Sequence, residues 1–228
     1  MQELLLLLLA YCIGSIPTAV WVSKYFFKID IRHYGSGNAG ATNTFRVLGS
    51  NWGTFVMLVD IVKGAIASSL YILLPQYIGI DNEWQRTNFQ IGLGLLAVIG
   101  HIFPIWAGFK GGKGVATLFG MVLAIQPLVA VSCVGVFLLV LYITRFVSLS
   151  SILASIALPV FIILIFREPE DLFRVFGIAI ALLVILTHQK NISRILQGGE
   201  SKVPILKYRD KRKEKRRIRK GIDNTFLF

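Results

Sequence analysis

Residues 114–144 read GVATLFGMVLAIQPLVAVSCVGVFLLVLYIT, 31 residues without a charged side chain. A hydrocarbon core of about 30 Å is crossed by about 20 helical residues, so this run is too long for one ordinary crossing. Gln126-Pro127 is its natural break, because proline has no N–H to donate and clashes with the preceding turn. Two helices are expected. The first, residues 114–125, is short for a full crossing, which places it deep within a bundle or at the start of a loop that dips into the membrane. The fold class that follows is all-α, a polytopic membrane helix bundle.

Outward from this run, residues 4–23, 52–74, 89–106, 148–166 and 172–188 are further apolar stretches of spanning length, for a total of about seven transmembrane helices. The first is kept as a span because Met1-Gln2-Glu3 lacks the basic flank of a signal peptide. Composition agrees. Hydrophobic residues make up 55% of the 228 and mean hydropathy is +0.68, too apolar for a soluble domain. Cys12 and Cys133 fall inside apolar runs, where cysteine acts as a small hydrophobe, and suggest neither a disulfide framework nor a metal site.

Charge sets the expected orientation. With seven spans, one set of ends carries Lys24, Lys28, Arg32, Arg46, Lys110, Lys113, Arg145, Lys190, Arg194 and the basic tail, and the other carries Arg86, Arg167 and Arg174. The richly basic side is expected to be cytoplasmic, which puts the N-terminus outside and the C-terminus inside. Two units are expected, a membrane domain over 1–200 and a basic cytoplasmic tail over 201–228. The net charge of +12 comes largely from the tail, with its run KRKEKRRIRK at 211–220. A nucleic-acid arm is conceivable, but a polybasic stretch just after a last span suits anionic lipid headgroups better.

This topology brings four polar stretches to one side. Gly35-Ser36-Gly37-Asn38-Ala39-Gly40-Ala41-Thr42-Asn43-Thr44-Phe45-Arg46 has glycines that let backbone N–H groups turn toward one anion. Ser36, Asn38, Thr42, Asn43 and Thr44 add donors, and Arg46 adds a planar cation able to grip phosphate twice. A loop between spans is the bland alternative. Next, Gly100-His101-Ile102-Phe103-Pro104 leads into Gly108-Phe109-Lys110-Gly111-Gly112-Lys113-Gly114, two lysines among glycines directly before a helix. Those lysines also fit a positive-inside anchor, and His101 fits a backbone-satisfied helix end as well as a catalytic role. Val115 follows Lys113-Gly114 where a nucleotide-binding loop needs another lysine and a hydroxyl, so nucleotide hydrolysis is not expected.

The third stretch is the turn Arg145-Phe146-Val147-Ser148-Leu149-Ser150-Ser151, where Ser148 is either a helix cap or a ligand. The fourth is His188-Gln189-Lys190-Asn191-Ile192-Ser193-Arg194. If the helix continues, His188 and Asn191 share a face, whereas Lys190 and Arg194 read equally as interfacial anchors. Within the second span, Asp60 and Lys63 are three apart. Such costly intramembrane charges are expected to pair or to support the site from below.

Taken together, these motifs resemble the bacterial acyl-phosphate-dependent glycerol-3-phosphate acyltransferases, the PlsY family. The resemblance rests on Gly35 to Asn43 with Arg46, Gly100 to Pro104 with Phe109 to Thr117, and His188 with Asn191, Ile192 and Arg194, in that order. It implies a seven-helix enzyme of the bacterial inner membrane, with its site facing the cytoplasm. The implied reaction moves a fatty acyl group from acyl-phosphate to the 1-hydroxyl of glycerol 3-phosphate and gives lysophosphatidic acid and phosphate. By motif position, His188, Asn191 and Ser36 would be catalytic. Asn38, Thr42, Asn43, Arg46, Lys110, Gly111, Gly112, Lys113, Arg145 and Ser148 would join them in binding substrate. No cofactor, metal or nucleic acid is expected; the partners are glycerol 3-phosphate, fatty acyl-phosphate and membrane lipids, and a monomer is the working expectation.

Other glycerolipid acyltransferases use a histidine followed by four residues and an aspartate. Asn38, Trp106 and Ser193 stand at that position after His33, His101 and His188, so a strong protein base is not evident and substrate phosphate is the inferred proton acceptor. The rival reading from another class is a transporter or channel for phosphorylated solutes.

Overall fold

The computed structural model describes residues 1–78 and 83–203. Ten α-helices and no strands occur among them: α1 (Gln2–Gly14), α2 (Thr18–Phe27), α3 (Ala41–Leu48), α4 (Ser50–Ser68), α5 (Glu83–Ile102), α6 (Val115–Ile125), α7 (Pro127–Thr144), α8 (Val147–Val160), α9 (Asp171–Thr187) and α10 (Gln189–Leu196). Residues 79–82 and all but the first residues of the basic tail lie outside the described residues.

Pro127 opens α7, so the charge-free run divides where its sequence indicates. The run at 4–23 is not one straight helix. Pro17 cannot continue α1, and the chain restarts as α2 at an angle of 41°. Among the described residues, four helices, counting their short 3-10 or π extensions, are long and apolar enough to cross a membrane, and up to six if each of the two bent pairs counts as one span. The remaining apolar helix, α6, has 11 residues; at 1.5 Å per residue it rises only about 16 Å, about half a bilayer core.

The way α6 is held explains why helices so apolar contain so much glycine. A Cβ added to Gly64 of α4 would come within 2.0 Å of the Thr117 carbonyl oxygen, and one added to Gly120 of α6 within 1.9 Å of the Ile61 oxygen. The two backbones therefore touch through reciprocal glycines, the arrangement that substitutes for a hydrophobic driving force between helices in lipid. Gly14 of α1 meets Ala97 of α5 in the same manner. By contrast α7 buries only Val129 and Ala130 and presents Val131, Leu138, Leu139 and Ile143 outward, as a lipid-facing helix should.

Asp60 and Lys63 do pair inside the bundle. Lys63 Nζ stands 2.8 Å from Asp60 Oδ1, both side chains are almost fully buried, and Nζ also donates to the Ile16 carbonyl at the α1–α2 break. The break thus exposes a carbonyl that the lysine then satisfies, which a continuous helix would not offer.

Candidate functional site

The 35–46 segment is organised from within. Asn43 is buried; its Nδ2 donates to the Ile31 and Tyr34 carbonyls at 3.2 and 3.0 Å, and its Oδ1 accepts from the Ser36 N–H at 2.8 Å. Gly35, at φ +61°, lies so near Asn43 Oδ1 that a Cβ would be 2.3 Å away, so the turn requires glycine. Asn43 therefore spends its polar atoms on closing the loop, leaving Ser36 half-buried at its rim. Asn38 touches Gly40, Thr42 is exposed on the first turn of α3, and Arg46 is exposed on its last turn with no ion-pair partner among the described residues.

The 108–114 loop is tied to the end of α5. Gly111 N–H donates to the Ile102 carbonyl and Gly112 N–H to that of His101, each at 3.1 Å. These two amides are engaged rather than free for a ligand; the unpaired donors nearest Lys113 are those of the first turn of α6, which no helix can satisfy internally. Lys110 is exposed, and its carbonyl lies 3.5 Å from Arg32, whose guanidinium is anchored by Asp30 at 2.7 Å. Arginine beside it holds the Asp30 carboxyl far below the usual carboxylate range.

Lys113 turns the other way. Its ammonium donates to Asn191 Oδ1, the Asn191 amide donates to Glu200 Oε1 at 2.7 Å, and the same oxygen accepts from Ser148 Oγ at 2.8 Å. Arg194 Nε completes the carboxylate at 2.8 Å through Oε2. Burial works against Glu200 ionising, but hydrogen bonds from Asn191, Arg194 and Ser148 outweigh it and keep the carboxyl below its ordinary value. Burial lowers Lys113 to about 8, and repulsion from Arg194 and Arg46 adds to this against the pull of Glu200. Arg194 is ion-paired with Glu200, Lys113 feels the same carboxylate without bonding to it, and Arg46 has no ion-pair partner among the described residues, so the excess positive charge suits a phosphorylated ligand.

His188 lies alongside, 3% exposed, in the electrostatic reach of Lys113 and Glu200. The helix does not continue through it. α9 ends there and α10 leaves at 58°, so His188 and Asn191 meet across a bend rather than on one helical face. His188 Nδ1 is 2.8 Å from the Val184 carbonyl, which can only accept; Nδ1 therefore carries the proton and Nε2 a lone pair. Ser148 is not a cap: Phe146 holds that position, and the serine side chain reaches Glu200. Arg145 caps α7 in the left-handed region, and its carbonyl accepts from Val203, which folds the 198–203 segment over the start of α8.

The structure thus brings Lys113, Ser148, His188 and Asn191 together, with Arg46 close enough to Lys113 to repel it, and leaves Lys110, Thr42 and the Arg145 side chain outside the cluster. Glu200 and the inward role of Arg194 are the residues that sequence reading missed. The available signal was Gly198-Gly199, a turn whose N–H groups bond back to Ile195 and Arg194 and deliver one acidic side chain into a basic surround.

Residues 4–198 match the family model for glycerol-3-phosphate acyltransferase. A glycerol-3-phosphate acyltransferase from Listeria welshimeri is 46% identical over 88% of this chain and 96% of its own length. One from Enterococcus faecalis is 44% identical over 89% and 93%. Among solved structures, PlsY, an integral membrane glycerol 3-phosphate acyltransferase, superposes in its glycerol 3-phosphate form with a TM-score of 0.79 at 36% identity, covering 91% of this chain and 98% of that one. Its lysophosphatidic acid form gives 0.76, covering 90% and 97%. With the family model spanning most of the sequence and relatives at this identity aligned almost end to end, the chain belongs to the integral membrane glycerol-3-phosphate acyltransferase family.

Proposed function

We propose that this protein transfers a fatty acyl group from acyl-phosphate to the 1-hydroxyl of glycerol 3-phosphate at the cytoplasmic face of a bacterial inner membrane. The observation that carries this reading is the cationic cluster of Lys113, Arg194 and Arg46 at the ends of apolar helices, where a phosphate can sit while an acyl chain stays in the bilayer. The C1 hydroxyl oxygen attacks the acyl carbonyl carbon, the bond from that carbon to the phosphate oxygen breaks, and inorganic phosphate leaves with its electron pair. The hydroxyl proton passes to a phosphate oxygen, since His188 is held by a backbone carbonyl and not by a carboxylate. His188 Nε2 and Asn191 orient the hydroxyl, and Ser36 and Arg46 face the phosphate. Conversion of radiolabelled glycerol 3-phosphate to a solvent-extractable lipid by detergent-purified protein tests this; uptake into sealed vesicles without any acyl donor is the result that favours transport instead.

Lys113 gives the reaction a definite pH dependence. The ammonium is present below about pH 8 and lost above it, so kcat/KM for glycerol 3-phosphate should be flat between pH 6.5 and 7.5 and fall about tenfold per unit above pH 8. Lys113→Arg keeps its charge throughout and should remove the fall. An unchanged alkaline limb in that variant takes Lys113 out of phosphate binding. Arg46→Lys keeps the charge but loses the two-pronged grip, and KM for glycerol 3-phosphate should rise about tenfold with an unaltered melting temperature.

Orientation is open to direct labelling. Single cysteines at Glu83 and Lys110, both exposed, in a protein lacking Cys12 and Cys133, should react from opposite sides of the membrane, with position 110 cytoplasmic. Reaction of both from one side contradicts the topology.

A further inference from the structure

Asp60, Lys63 and His101 take no part in the acyl-transfer step described above, yet they form a deeply buried charged cluster in the bundle. Asp60 and His101 are 2% and 7% exposed. The Asp60 Oδ1 atom collects Lys63 Nζ at 2.8 Å, Thr18 Oγ1 at 3.4 Å and His101 Nδ1 at 3.6 Å. One carboxylate oxygen thereby joins α2, α4 and α5. On the far side of the ring, His101 Nε2 abuts the phosphate loop, so near that a Cβ added to Gly112 would lie 2.1 Å from it. The His101 carbonyl also accepts the Gly112 N–H.

A carboxylate facing one imidazole nitrogen resembles the pair that serves a general base. Here the second nitrogen is covered by the Gly112 main chain, so the ring meets backbone where a base would need to meet substrate. Gly112 immediately precedes Lys113, whose ammonium donates to Asn191, so the position of the Gly112 main chain sets where that side chain begins.

We propose that Asp60 and His101 are positioning residues, in which the Asp60 carboxylate fixes the His101 ring and the ring sets the height of the Gly111-Gly112-Lys113 loop for binding the phosphate of glycerol 3-phosphate. This rests on the assignment of that loop to phosphate binding. Lys63 balances the buried charge, since an unpaired carboxylate within the bundle is strongly disfavoured. The glycine at 112 is required because the ring occupies the space that any side chain would need.

Equilibrium binding of glycerol 3-phosphate to detergent-purified protein, measured by calorimetry beside steady-state kinetics, tests this. Asp60→Asn combined with Lys63→Met removes the charge pair without leaving either partner alone, which guards folding. This variant and His101→Ala should each weaken glycerol 3-phosphate binding and raise its KM about tenfold, with kcat changed less than about threefold. Because both act through one contact, combining them should add less than about twofold to either. Gly112→Ala should weaken binding at least as much, and His101→Ala in that background should recover part of the loss by vacating the space the methyl needs. Wild-type binding in the folded Asp60/Lys63 variant, multiplicative losses, or no recovery in the Gly112/His101 pair overturns the proposal. Should wild-type protein bind glycerol 3-phosphate yet transfer no acyl group, the reading of the reaction fails while these binding comparisons still decide the positioning role.

Discussion

Gly120→Leu should abolish the folded protein, with Gly64→Val close behind. At each site an added Cβ would lie 1.9 or 2.0 Å from a carbonyl oxygen of the partner helix, so even a methyl demands that α4 and α6 separate. Backbone oxygens cannot swing aside as side chains do, and the expected loss is about 3–5 kcal/mol, enough to unfold a marginally stable domain. Size-exclusion profiles and thermal unfolding in detergent give the readout. Gly135 on α7 is the control: an added Cβ meets nothing within 4 Å, so Gly135→Leu should leave the melting temperature within about 3 °C of wild type. Equal behaviour of the 120 and 135 variants contradicts the close α4–α6 approach.

The second large effect belongs to His188. His188→Ala should lower kcat/KM for glycerol 3-phosphate about a hundredfold or more with little change in melting temperature, because the orienting lone pair disappears. Glutamine still accepts a hydrogen bond, so His188→Gln should lose only about ten- to thirtyfold and keep the acidic limb of the rate profile. Disappearance of that limb makes the histidine a base and moves the proton away from substrate phosphate. Asn191→Ala removes the acceptor of Lys113 and a donor to Glu200, and should fall between the two histidine variants. Hydrolysis of acyl-phosphate by water should be less affected, since water needs no glycerol-binding side chain.

What could be read in advance follows the range of the interactions involved. Pro127 speaks for itself, because its lost N–H acts within one turn. Pro17 carries the same signal, yet the apolar run around it is long enough to pass for one crossing, and the 41° bend shows only in the fold, where Lys63 donates to the Ile16 carbonyl. The bend at His188 has no proline or glycine to announce it. The distribution of positive charge over the spans led to the expectation that Lys113, Ser148, His188 and Asn191 lie on one side of the membrane, but composition could not distinguish a side chain that builds a loop from one that offers itself to a ligand. Asn43 is buried in its own loop's hydrogen bonds. Asp60 and His101 are far apart in sequence, so their relation was not visible without the fold, whereas for Glu200 the Gly198-Gly199 turn was the one local signal.

The most direct measurement uses purified protein, radiolabelled glycerol 3-phosphate and a single acyl chain presented either as acyl-phosphate or as acyl-CoA. The account predicts labelled lysophosphatidic acid and one equivalent of inorganic phosphate with acyl-phosphate, no product above background with acyl-CoA, and a loss of about a hundredfold when Lys113 is replaced by methionine. Turnover with acyl-CoA at a comparable rate, or product formation indifferent to the loss of Lys113, would contradict it.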